Sequence, residues 1–230
     1  MVLHNTQDLL VVRRRDLIRA ALAGGAAALL TPTLGAAQGL LERFKEDLKG
    51  ELKDVKEDVR EEVAYIFGME AYVYGYPLVM MDVTREVLTA APAPNAEGTA
   101  APINQLAKMP HYVDPHFKNV VRISLNSLWT TGFVDLEKEP IVLSVPDTKD
   151  RYYVFSMMNM WTDVFGSVGK RTTGTGPGHF LIAGPNWQGT APANIRQTYR
   201  SSTRYAWVLG QTQANGPDDF AAVNAIQADY

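Results

Sequence analysis

Six polar or aromatic residues in the second half of this sequence have the chemistry of a pocket for a small polar ligand. Aromatic rings offer apolar faces to a sugar, while amide, carboxylate and guanidinium groups fix the orientation of a ligand. The six are Arg122, Asn126, Trp129, Trp161, Asp163 and Arg171. The alternative is that Trp129 and Trp161 simply fill the protein core. Arg171 distinguishes the two interpretations best, because an arginine is costly to bury without a partner.

No motif in the sequence assigns a catalytic residue or a metal site. The 230-residue chain has no cysteine, which excludes disulfides, thiolate zinc sites, iron–sulfur clusters and a cysteine nucleophile. It also lacks a Gly-x-Ser-x-Gly elbow and a His-Glu-x-x-His motif. The segment HYVDPH brings His111, Asp114 and His116 close in sequence, but in an extended loop their side chains need not converge. We therefore predict no metal and no cofactor, and we leave the catalytic residues unassigned.

The glycine-rich segment GKRTTGTGPGHFLIAG resembles a phosphate-binding loop only superficially. Its Gly-Lys pair opens the segment instead of closing it, no helix follows, and Pro177 interrupts it. We predict a wide hairpin loop here. Lys170, Arg171, Thr172 and Thr173 would still give that loop several hydrogen-bond donors for an anion or a sugar.

The N-terminal segment has the order of an export signal. Arginines precede a short apolar run from Ala20 to Leu30, and the small residues of the range 35–37 follow it. The run is too short to span a bilayer, which takes about 20 residues. The pair Arg14-Arg15 followed by Asp16 resembles the twin-arginine signal. We therefore predict a signal peptide over residues 1–37, with an ordinary secretory signal or an uncleaved anchor as the alternative.

The next elements that the sequence predicts are helical. Residues 38–62 are densely charged with both signs mixed, and apolar residues recur there at intervals of three and four, from Leu41 to Ile66. This pattern predicts a charged amphipathic spacer helix. It either lies as a strap along its own domain or pairs with a partner or another copy. A more apolar helical stretch follows, and Pro77 should kink or restart it near Tyr76.

From about Val120 the pattern changes to short β-branched and aromatic runs separated by turn residues, which is typical of an antiparallel β-sandwich. The predicted strands are NVVRISL, SLWTTGFVDL, PIVLSV, RYYVFSMMNM, HFLIAG and RYAWVLGQT. The ranges 141–145 and 152–159 should form a hairpin whose alternating residues contribute to the core. A C-terminal helix should begin near Pro217. The fold class is therefore α+β, mainly β, with a module over residues 63–230.

The same segments resemble a known family. YGYPLVMMDVTREV, PINQLAK, VVRISLNSLWTTGFVDL, the run from VLSVPDTKD to LIAGPNW, and GPDDFAAVNAIQADY are similar to domain-of-unknown-function family 1254. The resemblance covers residues from about 65 to 230. It implies an immunoglobulin-like β-sandwich with an N-terminal helical part and a C-terminal helix, and it brings no established activity. Members are often exported and usually carry a second module, of domain-of-unknown-function family 1214, after this one.

The sequence departs from the family pattern at several polar positions. Asn126 and Asn159 stand where the family commonly has aspartates, Lys108 where it has a histidine, and Gln211 where it has an arginine. An amide cannot act as a general base near neutral pH. If the family site is catalytic, the resemblance implies that this copy is impaired.

These observations lead to three alternative functions. The first is a periplasmic or secreted, non-catalytic module that binds a small polar ligand, a glycan or a partner protein. The second is the front half of an exported enzyme of hydrolase-like chemistry, and the third is a truncated relic. The expected partner is a separately encoded second module of the family or another copy of this chain. A net charge of −3 argues against nucleic acid, and no membrane span should remain after cleavage.

Overall fold

The computed structural model describes residues 34–118 and 123–230. The predicted signal peptide, residues 1–37, therefore lies outside the described residues except for its last four, and so does Arg122. By its internal contacts the chain divides into two units, one ending at Ala71 and the other spanning Tyr72–Tyr230. No helix among the described residues has both the length and the apolar composition needed to cross a bilayer.

Helix α1 spans Leu34–Thr89 and continues through Pro77, so the restart predicted near Tyr76 does not occur. A proline inside a helix removes one backbone donor, and here the neighbouring turns maintain the helix. In the unit that ends at Ala71, the predicted apolar stripe lies on this helix with most of its side chains exposed, from Leu41 at 54% to Ile66 at 50%.

Within residues 34–118 and 123–230, eight strands form two sheets. Their bounds are β1 Ala107–Lys108, β2 Ser127–Asp135, β3 Ile141–Val145, β4 Tyr153–Asn159, β5 Val164–Gly169, β6 Gly178–Ala183, β7 Ile195–Arg200 and β8 Tyr205–Gln213. The larger sheet has the order β1-β2-β8-β4-β5 and the smaller one β3-β6-β7. A long N-terminal helix, two sheets and a C-terminal helix confirm the predicted α+β, mainly β class.

The main core lies between the two sheets and is built from alternating residues. Strand β4 alternates buried and half-buried positions, and its buried Tyr153, Phe155 and Met157 join the core. The smaller sheet contributes Leu143 and Val145 of β3 among others. This follows from the two-residue period of a strand, which places every second side chain on the same face. The prediction that these two segments supply the core is confirmed.

The predicted hairpin between these segments is wrong. Strand β3 pairs with β6 in the smaller sheet, whereas β4 pairs with β5 and β8 in the larger one. The connection leaves one sheet through Lys149 and Asp150, both of which adopt positive φ. Placing the two strands in opposite sheets lets their apolar rows pack against each other across the core, which a hairpin in one sheet would not allow.

Two further connections differ from the prediction. The glycine-rich segment after β5 leads into β6 of the other sheet, so it is a crossover and not a hairpin loop. Strands β6 and β7 are parallel, so the smaller sheet is mixed instead of antiparallel. A parallel pair needs a long return connection, and residues 184–194 supply it. Residues 123–125 of the predicted strand NVVRISL are not in a strand.

The predicted C-terminal helix is confirmed. A 3₁₀ turn at Pro217–Asp219 leads into α2 at Phe220–Ala228. Val223 packs with Leu128 in a small apolar cluster of its own. Arg151 anchors the turn, because its guanidinium donates two hydrogen bonds to the Asp219 carboxylate, of 2.6 and 2.8 Å. These bonds are the main reason why the pKa of Asp219 lies below its usual range.

The C-terminal part of α1 covers the outer face of the larger sheet. Met81 packs there with Phe133 and Met160, and Phe133 stacks on Trp207 with ring centroids 5.4 Å apart. Because α1 and the core cover opposite faces of β2, nearly every residue of this strand is buried.

Candidate functional site

The structure does not bring the described members of the predicted pocket together. Asn126 precedes β2 and Arg171 follows β5, and both lie at the same end of the larger sheet. Ser127, the first residue of β2, pairs with Gln213 at the end of β8, and the neighbouring Thr212 pairs with Tyr153 at the start of β4. The next residue of β4, Val154, pairs with Gly169, the last residue of β5. Trp161 and Asp163 lie at the other end, in the turn between β4 and β5. The seven residues of β4 separate the two ends, a distance of roughly 20 Å at about 3.3 Å per residue. The set therefore forms two separate groups.

The first group contains Asn126, Trp129 and Arg171. Trp129 is 8% exposed, so its ring offers no face to a sugar, and its Nε1 has no acceptor among the described residues. Asn126 is exposed and accepts a hydrogen bond of 2.6 Å from the Ser124 hydroxyl. Arg171 is exposed and lies 5.6 Å from the centroid of the Tyr152 ring. Of these three side chains, Asn126 and Arg171 are the ones accessible to a ligand.

The second group belongs to a turn organised by Asn159. The Asn159 Oδ1 accepts hydrogen bonds from the backbone N–H groups of Trp161 and Asp163, at 2.9 and 3.0 Å. Its Nδ2 donates to the Ser202 hydroxyl at 2.9 Å and to the Asp163 carboxylate at 3.3 Å. The amide side chain is 4% exposed. Asn159 therefore has a structural role that uses both its acceptor and its donor.

The turn that Asn159 holds is strained and presents its side chains to solvent. Thr162 adopts φ of 69°, a region that β-branched residues rarely occupy. Asp163 is exposed, and the Trp161 ring is half-buried against Tyr74, with centroids 5.1 Å apart. Trp161 and Asp163 are thus displayed next to each other, as their spacing in the sequence predicted.

The histidine segment and the glycine-rich segment are both used internally. In the described part of the chain, no three His, Asp or Glu side chains converge as metal ligands would. The Asp114 carboxylate accepts a hydrogen bond from the backbone N–H of His116. In the glycine-rich segment, three successive backbone N–H groups, of residues 172–174, point to the Gly169 carbonyl. These donors are therefore not free to hold an anion.

A groove that the sequence did not predict opens between the two sheets, beside β1 and β3. Its volume is about 460 Å³, and Lys108 and Tyr230 border it. The Lys108 ammonium donates hydrogen bonds to the carbonyl oxygens of Ala228 and Tyr230, at 3.2 and 3.3 Å. Burial lowers the pKa of Lys108, and the nearby Asp229 opposes that shift. In the sequence, this position was distinguished only by the resemblance to family 1254, which implies a histidine where this chain has Lys108.

A serine–histidine pair lies at the rim of this groove. The Ser144 hydroxyl and the His179 Nδ1 are 2.9 Å apart, on neighbouring strands β3 and β6. Among the described residues no carboxylate is bonded to His179, so the pair lacks the third member that orients the base in a catalytic triad.

Helix α1 presents a second apolar surface within the unit Tyr72–Tyr230. Six residues form this surface, which we call the outer face of α1: Tyr72, Tyr76, Val79, Met80, Val83 and Val87. They are between 44% and 68% exposed. At 100° per residue they fall within a sector about 100° wide, opposite the buried Met81.

A solved structure agrees with this fold. The chain is similar to the VPA0106 protein from Vibrio parahaemolyticus, with 24% sequence identity and a TM-score of 0.53; the match covers 69% of this chain and 35% of that one. It also matches an uncharacterized protein from Burkholderia cenocepacia at 15% identity and a TM-score of 0.36, over 50% of this chain and 33% of that one. No curated protein is significantly similar to this sequence.

The first of these likenesses concerns the fold alone, and this chain spans about a third of the length of each structure. The model of one protein family, described as protein of unknown function DUF1254, matches residues 103–230. That range contains all eight strands and helix α2. The chain belongs to the DUF1254 family.

Proposed function

We propose that this protein is an exported, non-catalytic module of the cell envelope that binds a second protein through the outer face of α1. One observation carries the proposal: α1 has apolar side chains on two opposite sides, and in the unit Tyr72–Tyr230 only the side around Met81 is covered. Exposed apolar patches of this kind mark interaction surfaces.

The chemistry of this face supports a protein partner over a small polar ligand. It consists of valine, methionine and tyrosine side chains along four turns of the helix, so it offers hydrophobic contact area and few hydrogen-bonding groups. Tyrosine and methionine are enriched in the buried centres of protein interfaces. The proposed occupant is a module of family 1214, the kind of module that members of this family usually carry after the present one.

The direct test is an association measurement on the exported chain with a purified family-1214 module from the same genome. Isothermal titration calorimetry should detect binding, and Val79→Glu should weaken it at least about tenfold, since a charge would enter an apolar contact. Val164→Glu is the matched control, because Val164 on β5 is 58% exposed and Val79 is 59% exposed. Equal binding by both variants, or none by the unaltered chain, would refute the proposal. Self-association lost only in Val79→Glu would make a second copy the occupant.

Export is the second part of the proposal, and it depends on residues 1–37. The order of arginines, short apolar run and small residues supports a cleavable twin-arginine-type signal and a periplasmic or secreted protein. Replacing Arg14 and Arg15 together with lysine should retain the protein in the cytoplasm. Export of this double variant at the normal rate would exclude the twin-arginine route. An envelope form that still begins at Met1 would exclude cleavage.

The pair Ser144–His179 favours a second candidate, the front half of an exported hydrolase. A serine hydroxyl 2.9 Å from a histidine nitrogen has the spacing of a nucleophile and its base, and another module would have to supply the orienting acid and the oxyanion donors. The test is ester hydrolysis by the complex with the family-1214 module. Ser144→Ala should abolish hydrolysis, whereas Ser156→Ala on β4 should not.

A further inference from the structure

The groove beside β1 and β3 has apolar walls from both sheets. Val134 and Val208 line it from the larger sheet, and Ile141, Leu143 and Ile182 line it from the smaller one. Strands β1 and β3 are edge strands of their sheets, and among the described residues no strand closes the gap between them. On the other side the two sheets are in close contact, because Leu136 directly follows β2 and Gly184 directly follows β6. The backbone of Gly184 lies so near the Leu136 carbonyl oxygen that a Cβ atom added to the glycine would be 2.5 Å from it. The groove is therefore an opening between the sheets whose floor consists of core residues that are at most 5% exposed, with the half-buried Leu106 and Ile141 at its rim.

One cation, Lys108, and one carboxylate, that of Asp229, lie among the described residues that line the groove. Lys108 is half-buried on β1, and its ammonium is held by the two carbonyl oxygens at the end of α2. Within the described residues, no aspartate or glutamate oxygen is at salt-bridge distance from it; Asp229 acts on it only through space. An ammonium has three N–H donors, and two of them are used in these long bonds. The third donor remains available to an anion.

We propose that this groove binds an amphipathic anion, with its unbranched alkyl tail along the apolar walls and its carboxylate or similar head group at Lys108. The site is separate from the outer face of α1, which lies on the far side of the larger sheet, so the inference does not depend on the proposed function. The volume of about 460 Å³ is in the usual range for small-molecule pockets, roughly 300–1,000 Å³.

The distribution of polar groups distinguishes this ligand from a peptide strand. An extended peptide could add to the free edge of β3, but its backbone presents a donor and an acceptor at every residue. Seven of the fourteen described residues that line the groove are valine, leucine or isoleucine. Lys108 is the charged side chain among them that donates, whereas the Asp229 carboxylate can only accept. A molecule with one anionic end and a long apolar body matches this arrangement. An anionic head group would add a hydrogen bond between two opposite charges to the bonds that the Lys108 ammonium makes with neutral carbonyl oxygens, and such bonds are stronger.

The first experiment uses three probes with the same tail and different heads: dodecanoate, dodecan-1-ol and dodecyltrimethylammonium. Each is titrated into the full chain below its critical micelle concentration, with binding followed by calorimetry. Dodecanoate should bind at least about tenfold more tightly than the alcohol, and the cation should bind most weakly. Equal affinity for all three probes, or no binding of dodecanoate, would overturn the proposal. So would binding of an extended β-forming peptide in place of dodecanoate.

The second experiment varies the protein. Lys108→Met keeps an apolar stem but removes the charge, so dodecanoate affinity should fall at least about tenfold while dodecan-1-ol affinity stays unchanged. Lys108→Arg should retain most of the dodecanoate affinity, and Leu106→Trp should weaken all probes by filling the groove. Unchanged dodecanoate binding in a folded Lys108→Met variant would overturn the site. If Lys108→Met does not fold, the probe series on the unaltered chain still decides the question.

Discussion

Exchanging the amide and the carboxylate in the β4–β5 turn tests the structural role of Asn159. In Asn159→Asp, the side chain keeps the acceptor for the two backbone N–H groups but loses the donor that faces Asp163 at 3.3 Å. Losing a hydrogen bond to a charged group costs about 1.5–3 kcal/mol, and the lower end applies because Asp163 is exposed. Two like charges at this separation add at least about 1 kcal/mol, the value in bulk water, because the side chain at position 159 is 4% exposed.

The free energy of unfolding at neutral pH should therefore fall by at least about 2–3 kcal/mol. For a unit of this size, the melting temperature should fall by about 5–10 °C. The deficit should shrink on acidification, because protonating either carboxyl group restores a donor between them. Urea denaturation followed by far-ultraviolet circular dichroism measures the free energy, and differential scanning calorimetry measures the melting temperature.

The double variant Asn159→Asp with Asp163→Asn is the decisive control. It places the amide on the other side of the same contact, so the amide introduced at position 163 donates to the carboxylate introduced at position 159, and most of the lost stability should return. Asp163→Asn alone should change little, because an amide oxygen can still accept from Asn159. If the double variant is as unstable as Asn159→Asp, or less stable, the contact between these two side chains does not explain the effect, and the reasoning fails.

Three further predictions follow from the charges and hydroxyls described above. Burial raises the pKa of Tyr230 to about 12, above the usual value of about 10. The stability that the neutral Tyr230 side chain contributes should be present below about pH 10 and lost as the pH rises through about 12. Alkaline denaturation of Tyr230→Phe should lack this loss of stability. Arg151→Lys should cost about 1–2 kcal/mol at neutral pH by replacing a bidentate pair with a single contact. Because the pKa of Asp219 is lowered mainly by Arg151, that difference should disappear as the pH falls through the lowered value, as acid denaturation would show. Arg171→Ala should change stability by less than about 1 kcal/mol, because Arg171 is exposed above the Tyr152 ring. In a glycan screen the same variant should bind any polar ligand more weakly. If the variant unfolds, Arg171 has a structural role instead.

Sequence patterns predicted the positions of the strands better than they predicted which strands pair with each other. The alternation in β4 and β8 was readable because each strand has one face in the core and one outside it. Strands β5 and β7 were missed: β5 carries two glycines, and β7 is a mostly polar edge strand, so neither has a clear apolar alternation. Which sheet a strand joins depends on contacts that are distant in sequence, and this is why the hairpin between β3 and β4 was predicted wrongly.

The candidate sites show the same limit. Trp161 and Asp163 were correctly expected to be neighbours, because two residues in one turn stay close whatever the register. Their distance from Arg171 depends on the direction and length of β4 and β5, which spacing alone does not give. The groove at Lys108 was not predictable from local sequence, since its hydrogen-bond partners Ala228 and Tyr230 come 120 and 122 residues later.

The position of β8 has a consequence for how this protein matures. Strand β8, at Tyr205–Gln213, lies between β2 and β4 in the larger sheet and pairs with both. Until a ribosome has released that segment, β2 and β4 lack their shared neighbour, and the apolar rows of both strands stay open to chaperones, proteases and aggregation. Such long-range pairing slows folding. A nascent chain of this kind completes its larger sheet only after β8 has been synthesised.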